Sequence, residues 1–124
     1  GSYVTMDARY AEMTSAFETA LTVLARVVSV TPPDRAVIDS GLKAVTTELG
    51  MPSLRSLEGW SVKALSEEHC VLRRTDGRQL RRGELVELVP SHGCTTINLH
   101  DAFCMTRDNV VEAVWPIAAR GRLR

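Results

Sequence analysis

Cys70-Val-Leu-Arg-Arg-Thr-Asp-Gly-Arg-Gln-Leu-Arg-Arg-Gly-Glu-Leu-Val-Glu-Leu-Val89 carries the strongest local signal in the chain. Asp76-Gly77 stands between two β-like runs, and glycine accepts the positive φ that a tight turn demands, so the stretch predicts a hairpin between residues 70–74 and 79–89. Gly83 in the second arm predicts a bulge or a tight corner. A second hairpin is predicted downstream, where residues 98–107 and 110–117 flank Asp108-Asn109. Upstream, residues 21–30 are rich in β-branched side chains and stop at Pro32-Pro33, which predicts a largely buried strand. Residues 35–39 give another strand, and Gly41 lets the chain bend before residues 43–45. Residues 48–60 hold Gly50, Pro52 and Gly59 and predict an ordered loop. Near the start, residues 3–6 are β-prone, and Asp7 is placed to cap a helix over residues 8–21, whose apolar positions follow a loose helical period. Short strands at this spacing predict a mainly β fold, a small closed or nearly closed β-barrel with one or two short helices, forming a single domain over residues 1–124.

Composition narrows the partners. The chain has 124 residues, 44% of them hydrophobic, enough for one domain with a core of its own. Fifteen basic side chains balance fifteen acidic ones, so no long-range field draws the protein to nucleic acid or to an anionic membrane. Aromatic residues make up 5%, too few for base-stacking platforms. The longest apolar stretch, residues 20–30, is broken by Thr22, Arg26 and Ser29 and falls well short of the roughly 20 residues of a membrane span. The first ten residues offer neither a basic nor an apolar signal region, and Cys70, Cys94 and Cys104 are too sparse and odd in number for a disulfide framework; both point to a cytoplasmic protein. Gly1-Ser2 reads either as native sequence or as the remnant of a fusion.

Residues with chemical potential concentrate in Val89-Pro-Ser-His-Gly-Cys-Thr-Thr-Ile-Asn-Leu-His-Asp101. His92 and Cys94 stand two apart, a spacing that can put an imidazole nitrogen and a thiolate on one side of an extended or looped segment. Zinc accepts this N/S pair, so the two make half of a metal site. Spacing alone does not separate this from a loop histidine beside a free thiol. His100 and Asp101 are candidates for a third ligand or for a partner that fixes a ligand's tautomer. His69, within Glu67-Glu68-His69, is a further candidate. Lys43 reads as a surface lysine, and Arg73, Arg74, Arg78, Arg81 and Arg82 with Glu84 and Glu87 read as a solvated strand edge. The chain lacks a phosphate-cradling glycine loop, a nucleophile elbow and a Cys-x-x-Cys pair, so nothing in it is a self-contained active site.

The segment from Val89 to Asp101 resembles the Pro-Asn-His-x-Cys-x-Thr-x-Asn-Leu-His-Asp block of the D-serine dehydratase and D-threonine aldolase family. The flanking segments agree in order: Gly1-Ser-Tyr-Val-Thr-Met-Asp-Ala-Arg-Tyr10, Ala20-Leu-Thr-Val-Leu-Ala25, Arg35-Ala-Val-Ile-Asp-Ser-Gly-Leu-Lys-Ala44, Ser66-Glu-Glu-His69 and Trp115-Pro-Ile-Ala-Ala-Arg-Gly121. The chain is similar to the C-terminal β-domain of these fold-type III, alanine-racemase-like enzymes. The resemblance implies that His92 and Cys94 ligate a divalent metal, zinc or another such as manganese, which binds the β-hydroxyl of a D-β-hydroxy-amino acid. It implies further that pyridoxal phosphate is held by a lysine of an N-terminal barrel domain, that the intact protein is a lyase of aldolase or dehydratase type and a homodimer, and that the fragment alone is inactive. Exposed apolar surface is expected where the barrel would dock. Ser91, Cys70 and Thr46-Thr47-Glu48 depart from the family's usual residues without removing a proposed ligand, and leave the substrate class open. The competing reading is a β-barrel module that keeps the fold and serves in binding or assembly; a racemase of the same fold would have no use for a metal at this pair.

Overall fold

The computed structural model describes residues 1–122. Its elements run α1 (Ser2–Thr5), α2 (Ala8–Ala11), β1 (Val23–Thr31), β2 (Arg35–Ile38), β3 (Ser53–Leu54), β4 (Trp60–Leu65), β5 (Cys70–Arg74), β6 (Leu85–Val89), α3 (Gly93–Ile97), β7 (Ala102–Arg107) and β8 (Val110–Pro116). Six strands form an antiparallel sheet in the order β3-β6-β1-β2-β5-β4, and the two end strands, β3 and β4, approach one another, so the sheet nearly closes into a barrel.

β1 organises this sheet. Its first half pairs with β6 and its second half with β2, with a register shift between Val27 and Ser29 that bends the strand from one neighbour to the other. Residues 21–30 were expected to be largely buried, but only alternate side chains are: Val23, Ala25 and Val27 point into the core and Leu24, Arg26 and Val28 outward, as an antiparallel strand with one wet face requires. Ile38, Val45, Leu57, Trp60, Cys70, Leu72, Leu80, Val86 and Leu88 complete the core.

The hairpin expected from Asp76-Gly77 does not form. β5 pairs with β4 and β2, whereas β6 pairs with β1 and β3. The turn exists, with Gly77 at φ +75°, but it folds onto Gly59: the Thr75 amide donates to the Gly59 carbonyl at 2.8 Å, and the Trp60 indole Nε1 donates to the Arg78 carbonyl at 2.9 Å. These bonds carry the chain away from β5. Gly83, at φ +92°, then makes the expected corner, its amide donating to the Val27 carbonyl at 2.7 Å and setting β6 beside β1. The hairpin partner of β5 is instead β4, which precedes it across residues 66–69.

Three other expectations change. Residues 3–6 are not a strand: residues 2–5 form α1, with the amides of Val4 and Thr5 donating to the Gly1 carbonyl. The helix over residues 8–21 shortens to α2, although Asp7 caps it as expected, accepting from the Tyr10 amide. The loop at residues 48–60 contains the two-residue β3. Downstream, β7 and β8 pair across Asp108-Asn109 as expected, both residues at positive φ, but the first arm starts at Ala102 and not at residue 98, because Asn98 caps α3 (Gly93–Ile97) and the amides of Leu99 and His100 donate back to Thr96 and Ile97. This ribbon is a separate two-stranded sheet and leaves Val110, Val111, Val114 and Trp115 exposed. Among the described residues no helix is long and apolar enough to cross a membrane.

Candidate metal-binding site

Three pieces of chain converge after β6. Pro90 and Ser91 leave the strand and enter the core, His92 stands at the N-cap of α3 with extended backbone, and Cys94 lies in the helix's first turn. The N-terminal segment packs against them: the amides of Ala8 and Arg9 donate to the carbonyls of Pro90 and Ser91 at 2.9 and 3.4 Å. From the other side, the Ser91 hydroxyl donates to the Thr46 carbonyl at 3.3 Å, and the Thr46 amide donates to Thr96 Oγ1 at 3.2 Å. The His-x-Cys segment is therefore clamped between residues 1–10 and the 41–48 loop.

Asp7 sits at the centre of the clamp with 1% of its surface exposed. Its Oδ2 lies 3.0 Å from His92 Nδ1 and accepts the Gly93 amide at 3.3 Å, while Oδ1 accepts the Tyr10 amide at 3.0 Å. Burial pushes the Asp7 carboxyl up, but the hydrogen bonds from Tyr10, His92 and Gly93 outweigh it and hold the group below the ordinary aspartate value. The His92 side chain keeps 22% of its surface exposed, and the Tyr10 ring stands near it at 6.2 Å between centroids. The Cys94 thiol is exposed, close to Gly1.

Glu48 reaches the same face, accepting a hydrogen bond from the Thr95 hydroxyl, which also bonds Thr46 Oγ1 at 2.8 Å. Burial raises the Glu48 carboxyl, but the hydroxyls of Thr46 and Thr95 and the nearby His92 ring more than offset it, and the group is held low.

The remaining candidates lie elsewhere. His100 donates through Nε2 to the Ala44 carbonyl at 2.7 Å, and Asp101 pairs with Arg120. His69 lines an open cleft of about 380 Å³ with Asp39, Gly41, Lys43, Ala44, Glu67 and Glu68. There Lys43 is exposed, 2.9 Å from Glu68 and 3.5 Å from Glu67, and its hydrogen bond to Glu68 raises the ammonium's pKa. Arg73 pairs with Asp34 and Arg78 with Glu84 on the surface. Among the described residues, no three His, Cys, Asp or Glu side chains gather as a metal-holding group.

His92 and Cys94 nonetheless suit a divalent metal as a pair of donors. Imidazole nitrogen and thiolate are both zinc ligands, and a carboxylate behind a ligating histidine is the usual support for such a ring. Two donors leave open positions for substrate or water. Asp7 is the member of this cluster that the sequence did not reveal. It reads there as a helix cap, which it is, while its second oxygen engages a ring 85 residues away.

Residues 20–106 match the family model described as "Putative serine dehydratase domain". Over 98% of its length the chain is 44% identical to a D-threonine aldolase of an Arthrobacter species and 37% identical to a 3-hydroxy-D-aspartate aldolase of Paracoccus denitrificans, of which it covers 33% and 34%. The chain thus spans about a third of the length of these curated relatives. An uncharacterised protein of Mycobacterium bovis is 32% identical over 83% of this chain and 85% of its own length. Among solved structures, a D-threonine aldolase from Filomicrobium marinum superposes on the whole chain with a TM-score of 0.93 at 37% identity, using 36% of that protein. An alanine-racemase-like protein from Idiomarina loihiensis shares the fold over 94% of this chain and 36% of that one, with a TM-score of 0.79 at 21% identity. The agreement extends through the barrel and the His92 loop alike, and the chain belongs to the family of putative serine dehydratase domains.

Proposed function

We propose that this chain is the metal-bearing C-terminal domain of a pyridoxal-phosphate-dependent lyase, of D-threonine aldolase or D-serine dehydratase type, that acts on a D-β-hydroxy-amino acid. The observation that carries the reading is the pair of half-buried His92 and exposed Cys94, with the His92 ring backed by a buried carboxylate, in a domain whose relatives are named aldolases. His92 and Cys94 would hold zinc or manganese, which when bound supplies a Lewis acid to the substrate hydroxyl, while pyridoxal phosphate on an N-terminal barrel supplies the electron sink. The chain's own residues hold this pair in place. Pro90 and Ser91 anchor the segment in the core, and Asp7 fixes the His92 ring from behind. Glu48, held as a carboxylate by Thr46 and Thr95, gives the same face a negative charge. The N-terminal barrel, a second subunit and a cytoplasmic setting complete the proposal, and the cleft at His69 stays outside it.

Metal content after exhaustive dialysis tests this. Near-stoichiometric zinc or manganese in the chain, lost in His92→Ala and in Cys94→Ala, is the expected result. Metal retained equally by His92→Ala would overturn the assignment of the pair. In the intact protein, the same two substitutions are expected to lower turnover of a D-β-hydroxy-amino acid at least about 100-fold if they remove a Lewis acid.

A second reading, a binding or assembly module without catalysis, is favoured by one observation: the match to the M. bovis protein covers 85% of that protein, leaving little room there for a barrel domain. Turnover by the intact protein decides between the two.

A further inference from the structure

We infer that Asp7 is a positioning residue for His92, holding the ring by Nδ1 so that Nε2 is the nitrogen offered to a metal. The inference rests on the reading of His92 and Cys94 as a metal pair, and it adds the residue that decides which nitrogen binds.

The two oxygens of Asp7 have separate partners. Oδ1 accepts the Tyr10 amide, which is the capping bond of α2, and Oδ2 accepts the Gly93 amide while facing His92 Nδ1 at 3.0 Å. Backbone amides only donate, so both oxygens act as acceptors, and bonds of this kind favour the carboxylate form. The hydrogen in the Asp7–His92 bond must then sit on Nδ1. A neutral imidazole carrying its hydrogen on Nδ1 has its lone pair on Nε2, the form a metal requires. The Gly93 bond adds a second hold, tying the backbone between His92 and Cys94 to the same oxygen. Helix capping alone needs only Oδ1.

Asp7→Asn separates the two duties. If the amide oxygen keeps the α2 cap, the NH2 group faces two donors, Gly93 N–H and His92 Nδ1–H, and the ring can satisfy it only by moving its hydrogen to Nε2. If the amide is turned the other way, the NH2 group opposes the Tyr10 amide and the cap is lost. Thermal melts of the variant separate these cases.

The experiment uses long-range 1H–15N correlation spectra of the metal-free chain at about pH 8, where an ordinary histidine is neutral, with His92 assigned by His92→Ala. His100, which donates through Nε2 to the Ala44 carbonyl, provides the opposite tautomer as an internal reference. The expected spectrum has His92 as the Nδ1–H form in the wild type and shifted toward Nε2–H in Asp7→Asn. Zinc alone, titrated against a chelator, is expected to bind the variant about 10- to 100-fold more weakly. His92 found as the Nε2–H form in the wild type overturns the inference, as does wild-type zinc affinity in an Asp7→Asn chain whose melt shows the α2 cap intact. If Asp7→Asn does not fold, the wild-type tautomer decides alone. Zinc affinity unchanged by His92→Ala, or absent from the wild type, would refute the metal reading instead, and the tautomer of the metal-free ring would still decide whether Asp7 holds it.

Discussion

Ile38, Leu72 and Leu88 in the barrel are fully shielded from solvent, whereas Val110, Val111, Val114 and Trp115 in the β7–β8 ribbon each keep more than half of their surface exposed. Both regions are built from β-branched and large apolar side chains, and both turn through residues at positive φ. The difference lies in how each is held. The barrel strands are tied by pairings between distant segments, while β7 and β8 contact chiefly each other across a two-residue turn. Local turn chemistry is sufficient to shape a ribbon, but shielding from water needs the non-local sheet. Stability should therefore reside in the barrel, and substitutions can be chosen to test that division.

The largest contrast is expected from truncations. Leu72→Ala opens a cavity in a core that cannot easily collapse, and should cost about 2–5 kcal/mol. Val114→Ala removes a mostly exposed side chain and should stay within about 0.5 kcal/mol. Urea midpoints at unchanged slope measure both. Similar losses for the two variants would mean that the ribbon is part of the same cooperative unit as the barrel.

Next in size is a glycine substitution where two loops of the barrel meet. A Cβ at Gly41 would lie 2.3 Å from the Ser66 carbonyl oxygen, 2.6 Å from the His69 nitrogen and 2.7 Å from the Glu67 carbonyl oxygen. These are backbone atoms that cannot rotate aside, so Gly41→Ala should cost about 1–3 kcal/mol by overpacking. At Gly93 a Cβ would meet its nearest neighbour, Thr5 Oγ1, at 3.5 Å, an ordinary contact. Gly93→Ala should therefore change stability by no more than about 1 kcal/mol, in the favourable direction that helix propensity predicts. Chemical denaturation of the two variants, side by side, checks the difference.

These contacts mark where sequence reading reached its limit. β1 and β2 were legible to within a residue or two, because β-branched runs end at Pro32-Pro33 and at Gly41. The ribbon was legible because Asp108-Asn109 adopts the backbone its composition favours. Gly77 also makes its turn, yet the partner of β5 was misread, since bonds from Thr75 and Trp60 to residues far from the turn decide where the chain goes next. The site divides in the same way. The His92-x-Cys94 pair is a local pattern, while Asp7 joins it only through the fold, and no spacing rule connects positions 85 residues apart.

A pH-dependent effect, small near neutrality, should come from Cys70, a core thiol that burial pushes up to about 12. In the unfolded chain a thiol ionises near its ordinary value of about 8.5, while in the folded barrel it stays protonated well beyond that. A group raised in the folded state stabilises fully below its unfolded value, and that contribution is lost as pH rises through the folded one. Stability should thus fall between about pH 9 and 12, by at most about 1.4 kcal/mol per pH unit. Cys70→Ala should flatten this slope despite lowering stability at neutral pH. Alkylation gives a second view: at pH 8 Cys94 and Cys104, both exposed, should label quickly and Cys70 only on unfolding. Rapid labelling of all three thiols in the native protein would refute the claim that the core excludes solvent at this position.

The smallest effect tests whether the ribbon is energetically separate. Asn109 holds φ +62° at the β7–β8 turn, a conformation that glycine adopts without strain. Asn109→Gly should favour the ribbon locally yet move the global midpoint by less than about 0.5 kcal/mol, because β7 and β8 lend little to the core. Hydrogen exchange resolves the two scales: amides of β7 and β8 should exchange more slowly in the variant, while those of β1, β2 and β5 should keep their wild-type rates. The barrel's own turn behaves oppositely, since a Cβ at Gly77 would stand 2.4 Å from the Glu58 carbonyl oxygen at φ +75°, so Gly77→Ala should speed exchange throughout β4 and β5. If Asn109→Gly slows barrel amides in step with ribbon amides, the two regions open together, and the exposed apolar face of the ribbon would have to be counted with the core after all.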